Sequence, residues 1–362
     1  DGGKTWKTLY FPGLHGDHHG LWIDPTESDY LINVNDGGVN VSYDGGDTWR
    51  DFHRNFPAAQ FYNVSFDMQD PFYVYGSVQD HNTHRGPVLS RQAGGRRRSL
   101  RTSLVWERAP GGEGTIIAID PTNSSTVYSS SFYGRLMRSE LKDGQWTSKN
   151  ILPRVSEGEP PLRGQWLAPT ILSPHNPKVV YHGMQYVFRS EDKGETWERI
   201  SGDLTHNDPK TMGELPFAIP FHCLTALSES PFEYGLLYAG SDDGRVHVTK
   251  DGGKNWTEIT SGLPYYKHVS RIVASKYDKA TVYVTLNGRR DDDMNNYIYK
   301  STDYGRTWVD ISANIPCGPV NVIREDPKKE GILYVGTDFG VFASIDGGQS
   351  EHVVGQNLPS CF

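Results

Sequence analysis

The apolar positions of this chain alternate over short runs instead of recurring every three or four residues. Leu21-Trp-Ile23 is followed by Tyr30-Leu-Ile-Asn-Val34, Ile116-Ile-Ala-Ile119 by Thr126-Val-Tyr128, and Val322-Ile323 by Gly331-Ile-Leu-Tyr-Val335. Each run is β-branched or aromatic and is bounded by Pro, Gly or Asp. Such runs are strands joined by tight turns, and no long helical periodicity competes with them. The pattern predicts an all-β chain.

One phrase recurs along it: Ser/Thr-x-Asp-x-Gly-x-Thr-Trp. It is plain at Asp1 to Trp6, Ser42 to Trp49, Ser190 to Trp197, Thr249 to Trp256 and Ser301 to Trp308. A weaker copy sits at Lys142 to Trp146, and Ser344 to Gly348 keeps the front half but has Glu351 where Trp belongs. The Asp falls at positions 1, 44, 143, 192, 251, 303 and 346. The single long interval holds two repeats, one of which has lost its phrase, so there are seven periods. Four strands per period, repeated radially, predict a β-propeller of seven four-stranded antiparallel blades. The blades are expected at 17–52, 59–108, 113–150, 165–201, 218–260, 267–312 and 318–354. The propeller would then span 11–358, with 359–362 a tail and 1–10 an outer hairpin strand of a preceding blade or a closing strand. Because the chain opens in mid-repeat, it reads as a piece of a longer protein or as a ring closed by its N-terminal strand.

The phrase has a structural reading. The Asp and Ser/Thr side chains can hydrogen-bond turn backbone, glycine supplies positive φ, and Trp covers the hairpin with apolar surface. Asp44, Trp49, Asp192, Trp197, Asp251, Trp256, Asp303, Trp308 and Asp346 are therefore expected to build turns rather than to do chemistry.

Charge and composition then narrow the function. A formal charge of -8 and a pI near 5.9 argue against a nucleic-acid partner, since phosphate binding is driven by Lys and Arg displacing counterions. The contrary patch, Arg91, Arg96, Arg97, Arg98 and Arg101 among glycines, reads as a solvated, mobile loop. Cys223, Cys317 and Cys361 are too few and too far apart for a disulfide framework. A mean hydropathy of -0.58, and the lack of any apolar run near the roughly 18 residues of a membrane span, exclude a spanning helix. Any export signal would lie upstream, and the expected location is secreted or cell-envelope.

The phrases resemble the Asp-box, or bacterial neuraminidase, repeat superfamily, which spans sialidases, xyloglucan-active hydrolases and sortilin-type sorting receptors. A closer resemblance lies in His15 to Pro25, Asn35 to Gly46, Ala59-Gln-Phe-Tyr62, Gln79-Asp80, Leu172 to Pro177 and Tyr297 to Gly305. These are similar to the second half of the large sortilin-like (VPS10-type) proteins labelled glycosyl hydrolase with neuraminidase repeats. The resemblance implies a ligand-binding module, or a glycoside hydrolase. Sialidase chemistry is not expected: there is no Arg-Ile-Pro segment, and the spacing of Arg85, Arg163, Arg271 and Arg289 groups none of them.

Residues just before each blade's first strand should crowd one rim. His18 and His19, His222 and His268 hold such places. With His15 and Asp17, His18 and His19 offer ligands for a divalent metal, zinc, copper or nickel suiting imidazole and calcium suiting acidic loops. A second constellation is Gln79, Asp80 and Arg85, with Arg289 and Asp292 in a loop of the sixth blade. Asp17, Asp80 and Asp292 are the candidate carboxylates for acid–base work on a glycosidic bond, if folding brings a pair within about 5 to 10 Å. Trp166, Tyr186, Tyr265 and Tyr266 could instead stack on sugar rings or peptide side chains. The expected function is a propeller binding a glycan or peptide, with glycoside hydrolase and assembly with another propeller half or subunit as alternatives.

Overall fold

Short alternating runs can bury an apolar face only by stacking sheet on sheet, and the computed structural model shows them doing so. It describes residues 2–6, 11, 14–52, 59–88, 106–212, 221–316 and 318–355. The arginine patch, Cys317, Cys361 and Asp1 lie outside the described residues. Seven four-stranded antiparallel sheets follow one another, each a simple meander in which chain order is spatial order. They span His18–Asp51, Phe61–Arg108, Ile116–Asn150, Thr170–Arg199, Leu224–Glu258, His268–Asp310 and Val320–Val354. These are the seven propeller blades that the repeat predicts.

Two compact units are distinguished. Asp1–Gln60 with Val78–His81 forms one and carries the first sheet; Phe61–Ser77 with Asn82–Phe362 forms the other and carries the remaining six. Within the second unit the first strands of consecutive sheets touch, from Phe61–Phe66 through Ile116–Ile119, Thr170–Leu172, Leu224–Glu229 and His268–Ala274 to Val320–Glu325. The fourth strands, such as Glu198–Arg199 and Thr257–Glu258, are exposed. Apolar residues fill the spaces between neighbouring sheets. Val246, Val248, Val269, Ile272 and Val284 make one layer, and Tyr181, Val187, Leu224, Leu227 and Leu237 another. Tyr75, Tyr128, Tyr181 and Tyr238, one in the second strand of each of four successive sheets, are completely buried.

The recurrent turns share one hydrogen-bond pattern. Gly194 N–H donates to Ser190 Oγ at 2.7 Å, Thr196 N–H to Asp192 Oδ1 at 2.8 Å, and Thr196 Oγ1 to Asp192 Oδ2 at 2.6 Å. The turns at Asp44, Asp251, Asp303 and Asp346 repeat it. These donors hold the carboxyls of Asp192, Asp251 and Asp303 down at about 2. Each of these carboxylates is thus engaged in holding its own turn.

The tryptophans reach further than their own hairpins. Trp197 Nε1–H donates to Ile151 O at 2.7 Å, Trp256 Nε1–H to Ile200 O at 2.8 Å and Trp308 Nε1–H to Ile259 O at 2.8 Å. Each acceptor is the residue directly after the fourth strand of the preceding sheet. The box glycine closes on the same residue: a Cβ at Gly253 would lie 2.6 Å from the Ile200 carbonyl oxygen. Where Glu351 replaces Trp, Asn314 does the joining, donating from Nδ2 to Glu351 O and accepting from Glu351 N–H, both at 2.8 Å.

His182, in the second strand of the fourth sheet, is fully buried. Its Nε2–H donates to Gly134 O at 3.0 Å, so Nδ1 accepts from Thr170 Oγ1 at 2.9 Å. Burial lowers its pKa to about 4. The folded chain therefore refuses a proton that the unfolded chain takes up near 6.5, and stability must fall as pH drops from about 6.5 to about 4. His182→Gln should remove up to about 3 kcal/mol of that acid sensitivity. Urea denaturation of native and variant chains at pH 7.5 and 4.5 checks this; an equal difference between the two proteins at both pH values would refute it.

Candidate functional site

In the first unit, the strand His18–Ile23 opens on a register shift between His18 and Gly20, and the histidines expected to act together take different partners. His18 Nδ1 bonds Asn33 Oδ1 at 3.0 Å, within a buried ladder of Asn33, Asn35 and Asn40. His19 Nε2 pairs with Asp36 instead, and that bond is the main reason the Asp36 carboxyl lies below its ordinary value. A four-residue site of His15, Asp17, His18 and His19 is therefore not assembled. His15 meets carboxylates: its Nδ1 is 3.4 Å from Asp17 Oδ2 and its Nε2 is 3.8 Å from Asp80 Oδ1. Gln79 donates to Asp80 Oδ2 at 2.9 Å. One oxygen from each carboxylate lies within 4.8 Å of the other.

Three other expected residues serve the fold. Arg85 is 9 % exposed, its guanidinium packed against Tyr73, Tyr75 and Trp146 and bonded to Glu107 at 2.5 Å. It is an arginine of the interior, not of the rim, because three aromatic rings enclose its charge. Trp166 packs against Phe132 with ring centroids 4.0 Å apart and planes tilted by 45°, in the space left by the missing side chain of Gly114. His268 is crowded by protein, which drives its pKa down to about 3 and keeps it neutral. Arg289 does reach a polar partner at the sheet ends, Asp338 Oδ2 at 3.2 Å, while Asp338 Oδ1 accepts from Asn321 at 2.8 Å. Asp292 closes the short turn Arg289–Asp291 with a left-handed φ of 57°, and its neighbours Asp291 and Asp293 hold Lys267.

The densest chemistry of the second unit surrounds His222, two residues before the first strand of the fifth sheet. Its Nδ1 lies 2.6 Å from Asp243 Oδ2, and its Nε2 2.6 Å from Thr211 Oγ1. His206 approaches the same Asp243 oxygen, its backbone N–H at 2.7 Å and its Nδ1 at 3.2 Å. Asp243 is buried, which opposes its charge, but donors from Ser241, His206 and His222 outweigh burial and keep it ionised. Its neighbour Asp242 is treated differently. Burial lifts its carboxyl to about 7, the charge of Asp243 adding to that, while Cys223 N–H at 2.9 Å and Gln165 Nε2 at 2.7 Å hold it in place.

Over this buried pair lies an aromatic group. Tyr266 is 5.3 Å from His206, 5.5 Å from Tyr265 and 5.7 Å from Phe221 between ring centroids. Tyr265 is 80 % exposed. Both His222 and Tyr266 carry left-handed backbone, with φ of 63° and 59°. Non-glycine residues adopt that conformation only where surrounding contacts enforce it.

The sequence points to His222 and Tyr266, but not to Asp243 or His206. Asp243 was findable: an Asp follows the second strand at Asp36, Asp80, Asp242–Asp243 and Asp338, so the repeat marks a hairpin end. His206 comes from an irregular connection between sheets, where no periodicity operates.

The sortilin family profile (Sortilin, neurotensin receptor 3) matches residues 185–335. An oligoxyloglucan-reducing end-specific xyloglucanase of Emericella nidulans is 25% identical over 61% of this chain and 27% of its own length. A vacuolar protein sorting/targeting protein 10 of Laccaria bicolor is 30% identical over 33% of this chain and 8% of its own. The chain thus spans well under two thirds of these relatives. Among solved structures, an ancestral GH74 enzyme superposes with a TM-score of 0.54 at 16% identity, covering 92% of this chain and 45% of the enzyme. The β-propeller domain of Myceliophteria thermophila Cps50 (Swd1) gives 0.50 at 11% identity, covering 90% and 95%. These two likenesses speak to fold alone. Among the described residues no helix is long and apolar enough to cross a membrane. Sheet architecture, recurrent turns and these matches together show a β-propeller whose sequence is similar, over part of its length, to sortilin-type receptors and xyloglucanases.

Proposed function

We propose that this chain is a glycan-binding propeller of the secreted or cell-envelope kind, with its binding face at the aromatic group around Tyr265. The observation that carries the reading is a large, 80 % exposed ring backed by Tyr266, Phe221 and His206 and fixed from beneath by buried Asp243. An aromatic face held rigid before binding loses little entropy when a sugar ring stacks on it. Burial raises the Tyr266 pKa, so its hydroxyl stays a neutral donor. The xyloglucanase among the relatives makes xyloglucan oligosaccharides the first ligands to try. Tyr265→Ala should weaken their binding about tenfold, the loss of roughly 1.4 kcal/mol. Calorimetric titration measures it. Unchanged affinity in the variant, or no binding by the native chain across a glycan panel, would remove the proposal.

A hydrolase reading draws on a different observation, the carboxylates of Asp17 and Asp80 on either side of His15. Their closeness suits a double-displacement mechanism, in which the two carboxyl groups stand roughly 5 Å apart. Release of reducing sugar that Asp80→Asn abolishes would favour this reading over simple binding.

A further inference from the structure

We propose that His206, His222 and Asp243 form a binding site for a divalent metal of the zinc class. Three donor atoms from three separate segments converge: Asp243 Oδ2 stands 2.6 Å from His222 Nδ1 and 3.2 Å from His206 Nδ1, and all lie within 4.8 Å of one another. Two imidazoles and one carboxylate are a donor set that zinc accepts, and metal bonds of about 2.0 to 2.1 Å leave ligand atoms roughly 3.3 Å apart. Only a small separation of His222 from Asp243 is needed to admit the ion. With Nδ1 offering its lone pair to the metal, the proton of the neutral ring sits on Nε2, where it donates to Thr211 Oγ1.

The outer contacts of a metal site are also in place. Metal-bound imidazoles are oriented by a bond at their second nitrogen, and metal-bound carboxylates by bonds to their free oxygen. Thr211 Oγ1 holds His222 Nε2 at 2.6 Å, and Ser241 Oγ holds Asp243 Oδ1. The His222 and Asp243 side chains are fully buried, whereas His206 is 34 % exposed. The site is therefore reached from the His206 side, and three protein ligands leave a fourth position for water or a ligand atom. The left-handed backbone at His222 and Tyr266 places strain where the ligands meet, as at other functional sites. The His15 cluster has similar donors but not this support. Asp17 is 67 % exposed, and His15 lies 3.8 Å from Asp80.

The test uses the full chain, stripped with chelator and titrated with zinc in a calorimeter, and with cobalt by visible absorption. One equivalent of zinc should bind, and cobalt should give the intense visible bands of a low-coordinate site. His206→Ala, a substitution at a partly exposed position that circular dichroism can confirm as folded, should weaken zinc binding at least a hundredfold and erase the cobalt bands. Thr211→Val should weaken it about tenfold by releasing the second nitrogen of His222. His15→Ala should leave both signals unchanged. Failure of the native chain to bind zinc or cobalt, or cobalt bands that survive in His206→Ala or vanish in His15→Ala, would overturn the assignment. None of these readouts depends on a glycan, so this site and the glycan face stand or fall separately.

Discussion

Trp256→Ala is expected to cost about 3 kcal/mol of stability, more than any ordinary surface change. The indole is half-buried, packs against the core cluster that includes Ile200, Val187 and Leu227, and donates its N–H to Ile200 O at 2.8 Å. Alanine removes the ring contacts and leaves a carbonyl of the preceding sheet without its partner. Trp256→Phe separates the two contributions, keeping most of the packing while losing the hydrogen bond, and should cost about 1 kcal/mol. Urea denaturation of the three proteins decides it. A loss in the alanine variant no larger than in the phenylalanine variant would show that the ring itself carries nothing.

Gly253→Ala should be comparably damaging, at roughly 3 kcal/mol, from overpacking together with a backbone conformation that L-residues resist. Gly253 has a φ of 94°, and its added Cβ would meet the Ile200 carbonyl oxygen at 2.6 Å and Ile200 Cβ at 2.7 Å. The adjacent Gly252 is the internal control. Its φ is 72°, but its nearest neighbour is the end of the Arg189 side chain at 3.4 Å, which can move aside. Gly252→Ala should therefore cost only about 1 kcal/mol, the conformational part. Equal losses at the two positions in thermal or urea melts would mean that the close approach of the two sheets is not what selects glycine at Gly253.

Much of the architecture was legible in the sequence because repetition multiplies a weak signal. A single Ser-x-Asp-x-Gly turn is common; at Asp44, Asp192, Asp251, Asp303 and Asp346 it fixes the period, and the seven sheets follow. The rim placement of His222 was legible for the same reason. What periodicity could not show is where a side chain goes once a strand is built. His18 and His19, adjacent in sequence, turn to Asn33 and Asp36 at a register shift in the strand that no periodicity marks. Arg85 looked like a ligand-binding charge and is instead walled in by Tyr73, Tyr75 and Trp146, the last contributed by the following sheet. Trp197, Trp256 and Trp308 read as covers for their own hairpins, while the structure has these three indoles spanning to a neighbour. His206 was silent, since its position depends on an irregular connection and not on the repeat.

That spanning contact redraws the boundary of the repeating module. Ile151, Ile200, Ile259 and Ile311, each the residue after a fourth strand, are received by the glycine of the next turn, and the first three also by its tryptophan. The heritable part is accordingly neither one sheet nor one turn but the tail of one copy joined to the turn of its successor. A copy duplicated or exchanged without its neighbour's matching half would arrive with an isoleucine no one receives and a tryptophan with nothing to hold. Arrays of this kind should accordingly grow, shrink and recombine at cuts made inside the sheets, so that each joint travels whole.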